Sequence, residues 1–220
     1  MVSGAKRSAF ADWSARGVAQ VQDPTAAAVV AQVQAQAGQV VLDRCCGLGT
    51  KTLQMREAIG ESGRIVAIDP AESRCQGLRR LLEQRHIQNV AVYCASRLQD
   101  LPDLSAERFD RALLDVPCSN SGVLARRPEA RYSQNTRALQ SLAKLQDTIL
   151  HDTAGFIKPT GLLVYSTCSV WAEENEERIG VFLRQHPDFE LMESQNTLPN
   201  LESDPLLYHD GGFVAVFRRI

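Results

Sequence analysis

The chain has 220 residues, 44% of them hydrophobic and 23% charged, with 24 Lys+Arg against 26 Asp+Glu and a formal net charge of −2. That composition excludes intrinsic disorder as the main state, and the balanced charge excludes an all-over basic nucleic-acid coat while leaving room for a local basic patch. No apolar run is long enough to cross a bilayer, Met1 to Trp13 carries Lys6 and Arg7 but no apolar signal core, and the six cysteines form no C-x-x-C pair. A cytoplasmic protein with free thiols and no bound metal is expected.

In chain order, Asp23-Pro24-Thr25 opens a helix predicted to reach about Gln36, with Asp23 as cap and Pro24 at the first helical position. A strand (Gln39 to Asp43), a Gly-containing turn, a helix (Lys51 to Ile59) and a strand (Arg64 to Asp69) follow. Next come a helix (Ala71 to His86) and two strands (Val90 to Cys94, Phe109 to Asp115). A helix from Asn135 to Ile157, a strand from Leu162 to Ser166 opened by Gly161, a helix from Ala172 to Gln185 and a strand from Gly212 to Arg218 complete the series. Strands alternating with helices of this length predict βαβ crossovers: an α/β, Rossmann-like, mostly parallel doubly wound sheet with helices on both faces. No repeat, low-complexity tract or linker interrupts it, so residues 1–220 read as one domain, with 1–22 as an extension packing on it.

In such sheets ligands bind beyond the carboxyl ends of the strands. Those ends read Asp43-Arg44-Cys45-Cys46-Gly47-Leu48-Gly49, Ile68-Asp69-Pro70, Cys94-Ala95-Ser96, Asp115-Val116-Pro117-Cys118 and Tyr165-Ser166-Thr167-Cys168. Gly47-Leu48-Gly49 lets the backbone turn tightly against a ligand, and Asp69, about 20 residues further on, is placed to accept from ribose hydroxyls. Position 52 is Thr, so the third glycine of the dinucleotide fingerprint is missing. That argues against a nicotinamide oxidoreductase and for a nucleoside without a pyrophosphate, such as S-adenosylmethionine. Gly49-Thr50-Lys51-Thr52 is not a phosphate loop, because the first glycine of that motif is absent.

Cys118 and Cys168 end strands that, if adjacent, lie about 5 Å apart, so both thiols would face one pocket beside Asp115. Cys45, Cys46, Cys75 and Cys94 read instead as small buried hydrophobes. A thiolate adding at cytosine C6 makes C5 nucleophilic enough to take a methyl group from a sulfonium donor, and the second thiol can assist product release. An acid near N3 stabilises the charge that builds on the ring, a role that suits Asp115. The residues alone do not say which cysteine attacks.

Asp43-x-Cys45 with Lys51-Thr52, Asp115-Val116-Pro117-Cys118-Ser119-Asn120-Ser121-Gly122-Val123 with Arg127-Pro128, Tyr165-Ser166-Thr167-Cys168-Ser169 with Glu173-Glu174-Asn175, and Gly212-Phe213-Val214-Ala215 together resemble the catalytic domain of the RsmB-like (Sun/Fmu) RNA cytosine-5 methyltransferases. The resemblance runs from about Gln22 to the C-terminus. It implies an S-adenosylmethionine-dependent enzyme acting on RNA, rRNA being the expected substrate. It assigns attack to Cys168 and release to Cys118, and adds Asp115 and Lys51 to the catalytic set. It further implies that Cys45, Cys46, Gly47, Leu48, Gly49, Thr50, Lys51, Asp69 and Asp115 line the cofactor and base sites. The usual Ala-Pro-Gly-Gly-Lys segment reads Gly47-Leu48-Gly49-Thr50-Lys51, and the acid usual after the third strand is replaced by Ala95-Ser96, which puts Ser96 in the cofactor site. The family's common N-terminal RNA-binding domain has no counterpart, so RNA docking is expected from this domain, from a partner protein, or from sequence outside this chain. Trp13 and Val21-Gln22-Asp23 are expected to cover one side of the cofactor pocket.

Arg126, Arg127 and Arg131, with Arg137 nearby and only Glu129 against them, form a candidate RNA-binding cluster, since arginines pair phosphates and stack on bases. The run Glu173 to Glu177 reads as charge favouring a helix N-terminus. No histidine receives a role. The alternative to an enzyme is a catalytically weak methyltransferase fold serving as an RNA-binding or assembly subunit, against which stands the joint presence of Asp115, Cys118 and Cys168.

Overall fold

The computed structural model describes residue 13 and residues 19–96, 98, 101, 108–202, 204 and 207–220, so most of the expected extension over 1–22 lies outside the described residues. The order of elements is α1 (Pro24–Gln32), β1 (Val40–Asp43), α2 (Thr50–Ile59), β2 (Arg64–Asp69), α3 (Glu72–Gln84), β3 (Val90–Cys94), β4 (Phe109–Asp115), α4 (Thr136–Ala154), β5 (Ile157–Thr167), α5 (Glu176–Gln185), β6 (Phe189–Thr197) and β7 (Gly212–Arg219). The seven strands form one sheet in the order β3-β2-β1-β4-β5-β7-β6, parallel except for β7, which runs antiparallel to both β5 and β6. This is the doubly wound arrangement expected from the alternation of strands and helices, and its strand order reverses between β1 and β4.

Alternation along the strands divides the core into two layers. Leu42, Val66, Ile68, Leu114, Leu163 and Tyr165 face one way, toward Ile149 and Leu150 of α4 and Phe182 of α5. Val41, Ile65, Ala67, Leu113 and Val164 face the other, toward Val29 of α1, Leu53 and Met55 of α2 and Leu78 of α3. Both faces are covered, which is why these strands read as nearly unbroken apolar runs.

Several boundaries differ from expectation. Helix α1 stops at Gln32 rather than Gln36, because Gln34 turns to φ +51°. Helix α4 stops at Ala154, and β5 begins at Ile157, five residues ahead of Leu162, with Thr160 at φ +64° marking an irregularity before the regular ladder. The expected helix from Ala172 is a 3-10 turn (Ala172–Glu174) broken from α5 at Asn175, whose φ −118°, ψ −98° is not helical. Strand β6 was not expected. Its segment carries Glu190, Glu193 and Asn196 and is exposed along most of its length, so it lacks the alternation that signals a strand and owes its place to pairing with β7.

Candidate active site

The carboxyl ends of β1, β2, β4 and β5 converge, and two clefts open there side by side. One, of about 360 Å³, is lined by Asp43, Cys45, Cys46, Gly47, Leu48, Thr50, Lys51, Arg74, Asp115 and Arg127. The other, of about 270 Å³, has walls from Asp23, Lys51, Asp115, Asn120, Arg126, Arg127, Cys168 and Asp210 among others. Lys51, Asp115 and Arg127 belong to both, so the two clefts meet at the Lys51–Asp115 pair.

The first cleft is shaped by the loop after β1. Gly49 sits at φ +87° as the cap of α2, and a Cβ there would run into Leu78, so a left-handed, side-chain-free residue is required. Gly47 (φ +55°) donates its N–H to Asp69 Oδ2 at 3.1 Å, which ties the loop to the end of β2. Asp69 also accepts from Ala71 N at 2.9 Å, and Arg74 stands 3.4 Å from Oδ2. A buried carboxylate held this way has a fixed orientation, and with three bonds accepted it keeps about one acceptor site, on Oδ1. Asp69 itself lines neither cleft and stands behind the loop, so a ribose hydroxyl would reach it only at the edge left by Gly47 and Arg74; Cys45, Cys46, Gly47, Leu48, Thr50 and Lys51 supply the wall that a nucleoside would meet.

Other expected cofactor residues fall differently. Ser96 is exposed and outside both clefts; its carbonyl accepts from the guanidinium of Arg44, which is buried where β1 ends. Leu48 leaves 66% of its surface exposed at the cleft rim. Cys94, expected to be buried, is exposed, because β3 is the edge strand and its last residue has no neighbour on one side. Burial pushes the Cys45 thiol up to about 12 and the Cys46 thiol higher still, so neither supplies a thiolate. Trp13 accepts from Ala19 N through its carbonyl, and Val21 is exposed. Of the segment expected to cover the pocket, Asp23 lines the second cleft.

The second cleft holds the thiols. Strands β4 and β5 are direct neighbours, with Asp115 opposite Ser166, so the residues after each strand emerge together. Cys118 Sγ and Cys168 Sγ lie 2.6 Å apart. The Cys168 N–H donates to Cys118 Sγ at 3.2 Å, and the Cys168 thiol donates to Asn120 Oδ1 at 3.1 Å. Cys168 lines the cleft and Cys118 stands behind it. The hydrogen bond from Cys118 to Cys168, and then burial, hold the Cys118 thiol well above its ordinary value, so Cys118 keeps its proton. Lys51 Nζ is 2.7 Å from Asp115 Oδ2, and Ser166 Oγ donates to Asp115 Oδ1 at 2.9 Å. Burial pulls the Lys51 ammonium down, but the nearby anions, Asp115 foremost, outweigh it and leave Lys51 raised and charged.

Two residues that sequence reasoning read as simple helix-end charge or passed over hold this arrangement. Glu174 is completely buried; its carboxylate accepts from Ser119 N at 2.9 Å and Gln146 Nε2 at 3.0 Å, and its carbonyl accepts from Tyr165 Oη at 2.6 Å. Asn175 is equally buried and bridges Thr167 Oγ1 (2.6 Å) and the Ser169 carbonyl (3.0 Å). Only Glu176 and Glu177 stand in the first turn of α5, where the helix dipole favours them. The two thiol loops also touch through Gly122, whose N–H donates to the Cys168 carbonyl at 2.9 Å and whose carbonyl accepts from Gly211 N at 2.8 Å. A Cβ on Gly122 would come within 2.6 Å of the Gly211 carbonyl oxygen.

The arginine cluster divides. Arg126 pairs with the buried carboxylate of Asp210, whose N–H donates to Asp23 Oδ2 at 3.1 Å and whose carbonyl accepts from Thr25 Oγ1 at 2.7 Å. Arg126 therefore fixes a cleft wall. Arg127 lines both clefts, and Arg131 lies outside them with its guanidinium over the ring of Tyr132. Among the described residues, no helix is long and apolar enough to cross a membrane, and no group of three or more His, Cys, Asp or Glu side chains could hold a metal ion.

Known proteins with this sequence and shape agree with one another. Residues 30–204 match the family described as 16S rRNA methyltransferase RsmB/F. Ribosomal RNA small subunit methyltransferase B of Yersinia pseudotuberculosis is 35% identical over 181 residues, 82% of this chain and 42% of its own, so the chain spans less than half the length of that relative. The structure of a methyltransferase homologue from Pyrococcus horikoshii superposes with a TM-score of 0.74 at 28% identity, covering 91% of this chain and 68% of the other. That of NSun6 from the same organism, solved with SFG, gives 0.82 at 23% identity, covering all of this chain and 56% of the other. The fold is that of the Rossmann-like, S-adenosylmethionine-dependent methyltransferases, and the chain belongs to the RsmB/F family of 16S rRNA methyltransferases.

Proposed function

We propose that the chain transfers a methyl group from S-adenosylmethionine to C5 of a cytosine in ribosomal RNA through a covalent bond between Cys168 Sγ and C6. The observation that carries this reading is the pair of thiols 2.6 Å apart, one lining the cleft and one behind it, beside the Lys51–Asp115 pair. A pure binding surface has no use for that arrangement. Asp69 and the loop from Cys45 to Lys51 would hold the cofactor, which when bound supplies a methyl group on an electrophilic sulfonium.

The protein's own part is nucleophilic and acid–base. Cys168 faces the cleft as the attacking sulfur, with Cys118 Sγ in hydrogen-bond contact behind it and Lys51 lining the same cleft. Its electron pair forms the Sγ–C6 bond while the C5–C6 double bond opens toward C5, the position that accepts the methyl group. Asp115, held by Lys51 and Ser166 at the junction of the two clefts, is the group assigned to the charge that builds on the ring. Release requires a base, solvent water reaching the open cleft, to take the C5 proton; the C5–H bonding pair restores the C5–C6 double bond, and the Sγ–C6 bond breaks with its pair leaving on Cys168 Sγ. Cys118, in hydrogen-bond contact with that sulfur, assists this elimination.

The test is denaturing electrophoresis of both single variants incubated with RNA and S-adenosylmethionine. Cys118→Ala should accumulate a covalent protein–RNA complex; Cys168→Ala should give neither complex nor methylated product. Trapping by Cys168→Ala instead would reverse the roles, and full turnover by both would end the covalent reading.

A further inference from the structure

Beyond the thiol cleft lies an exposed rim that neither the cofactor site nor the thiol chemistry uses. Tyr132 leaves 76% of its surface in solvent and Trp171 leaves 43%, unusual for large aromatic rings. Trp171 stands three residues after Cys168, and its indole Nε1–H donates to Gln134 Oε1 at 3.0 Å, which pins the ring to the segment that follows the 3-10 helix Pro128–Ser133. Tyr132 belongs to that 3-10 helix, and the guanidinium carbon of Arg131 lies 4.6 Å from its ring centre. Arg127, Arg131 and Arg137 are all exposed along this stretch, with Glu129 the acid between them, and Arg127 continues the rim into both clefts.

We propose that Trp171 and Tyr132 form a stacking platform for the unpaired nucleotides flanking the target base, with Arg127 and Arg131 on the adjoining phosphates. This rests on RNA as the substrate, and it deepens that reading by specifying a single-stranded segment held outside the thiol cleft. Aromatic faces beside arginines suit splayed bases, because every base offers a π-face and every linkage a charge. The indole is already fixed by Gln134 and the tyrosine ring already carries a guanidinium on one side, so little side-chain freedom remains to be lost on binding. Arg127, which lines the cleft, and Trp171, three residues after Cys168, tie this rim to the cleft that a target base would enter.

The chain has two tryptophans, Trp13 and Trp171, so a Trp13→Phe background isolates the fluorescence of Trp171. Titration with a single-stranded RNA carrying one cytosine, without methyl donor, should quench that fluorescence. By anisotropy of the same labelled RNA, Trp171→Ala should bind about tenfold or more weakly, Trp171→Phe should recover most of the affinity, and Tyr132→Ala should weaken binding in the same sense. RNA with abasic sites beside the cytosine should bind the unsubstituted rim weakly and should no longer distinguish it from Trp171→Ala. Absence of quenching, equal affinity of Trp171→Ala, or indifference to the abasic sites would each overturn the platform; the last two would leave the aromatic pair to a protein contact. Methylation of C5 is measured separately. A platform that binds without C5 product refutes the transfer chemistry alone, and C5 product from an enzyme indifferent to Trp171 refutes the platform alone.

Discussion

Glu174→Ala should unfasten the thiol site without touching a reacting atom. The carboxylate accepts from Ser119 N and Gln146 Nε2 in a completely buried setting. Gln146 Nε2 keeps a second acceptor, the Pro117 carbonyl at 2.9 Å, whereas the buried Ser119 N–H loses its side-chain partner. Leaving the buried Ser119 N–H unsatisfied costs about 1–3 kcal/mol and losing the bond from Gln146 about 0.5–1.5 kcal/mol more, so a loss of about 2–4 kcal/mol is expected, a large share of the 5–15 kcal/mol of a typical domain. Glu174→Gln retains Oε1 as the common acceptor and should cost only about 1–2 kcal/mol. Urea denaturation of both variants measures the difference, and methyl transfer under native conditions reads its effect on the Cys118 loop. Turnover should fall for Glu174→Ala well beyond any fraction unfolded, and should largely return in Glu174→Gln. If the two variants are equally stable and equally active, Glu174 does not organise the site.

Asp43 is buried with Thr52 Oγ1 donating to it at 2.6 Å, and burial, only partly offset by that bond, raises it from 3.8 to about 7. The unfolded chain releases this proton near its ordinary value and the folded chain holds it longer, so Asp43 removes on the order of 4 kcal/mol of stability as pH rises from about 4 to about 7. Asp43→Asn, which keeps an acceptor for Thr52, should be more stable than the parent near pH 7, with the advantage shrinking as pH falls toward 4; a pH-independent difference in urea midpoint would refute this. Gly122→Ala should push the Cys118 loop off the Gly211 carbonyl and crowd the Cys168 carbonyl, costing about 1–3 kcal/mol and most of the turnover, and a variant with parental melting temperature and rate would show that these segments can yield. Asp69→Ala should weaken S-adenosylmethionine binding about ten- to a hundredfold by calorimetry; unchanged affinity would remove Asp69 from the ribose.

The parallel strands were legible because each is buried on both faces and reads as a β-branched run ending in a polar residue, as Arg64–Asp69 and Phe109–Asp115 do. Their ends located the site for the same reason, since an acid or thiol closing an apolar strand stands out. Strand β6 was not legible, because its order comes from its partner β7 rather than from its own pattern. Glu174 looked like helix-end charge because nothing local reveals that Ser119, 55 residues earlier, needs its carboxylate. Arg126 looked like its exposed neighbours for a similar reason: its partner Asp210 lies 84 positions away.

The joint at Asp210 sets an order in time. It gathers Asp23 and Thr25 from before β1, Arg126 from between β4 and α4, and its own segment from between β6 and β7. A wall closed across 187 positions cannot form on a growing chain until Asp210 has left the ribosome, and contacts of such long separation are slow to close. The sheet order from β3 to β4 can be laid down during synthesis, but the cleft that presents Cys168 is sealed only once Asp210 has emerged. A nascent fragment therefore carries both thiols with no pocket to aim them.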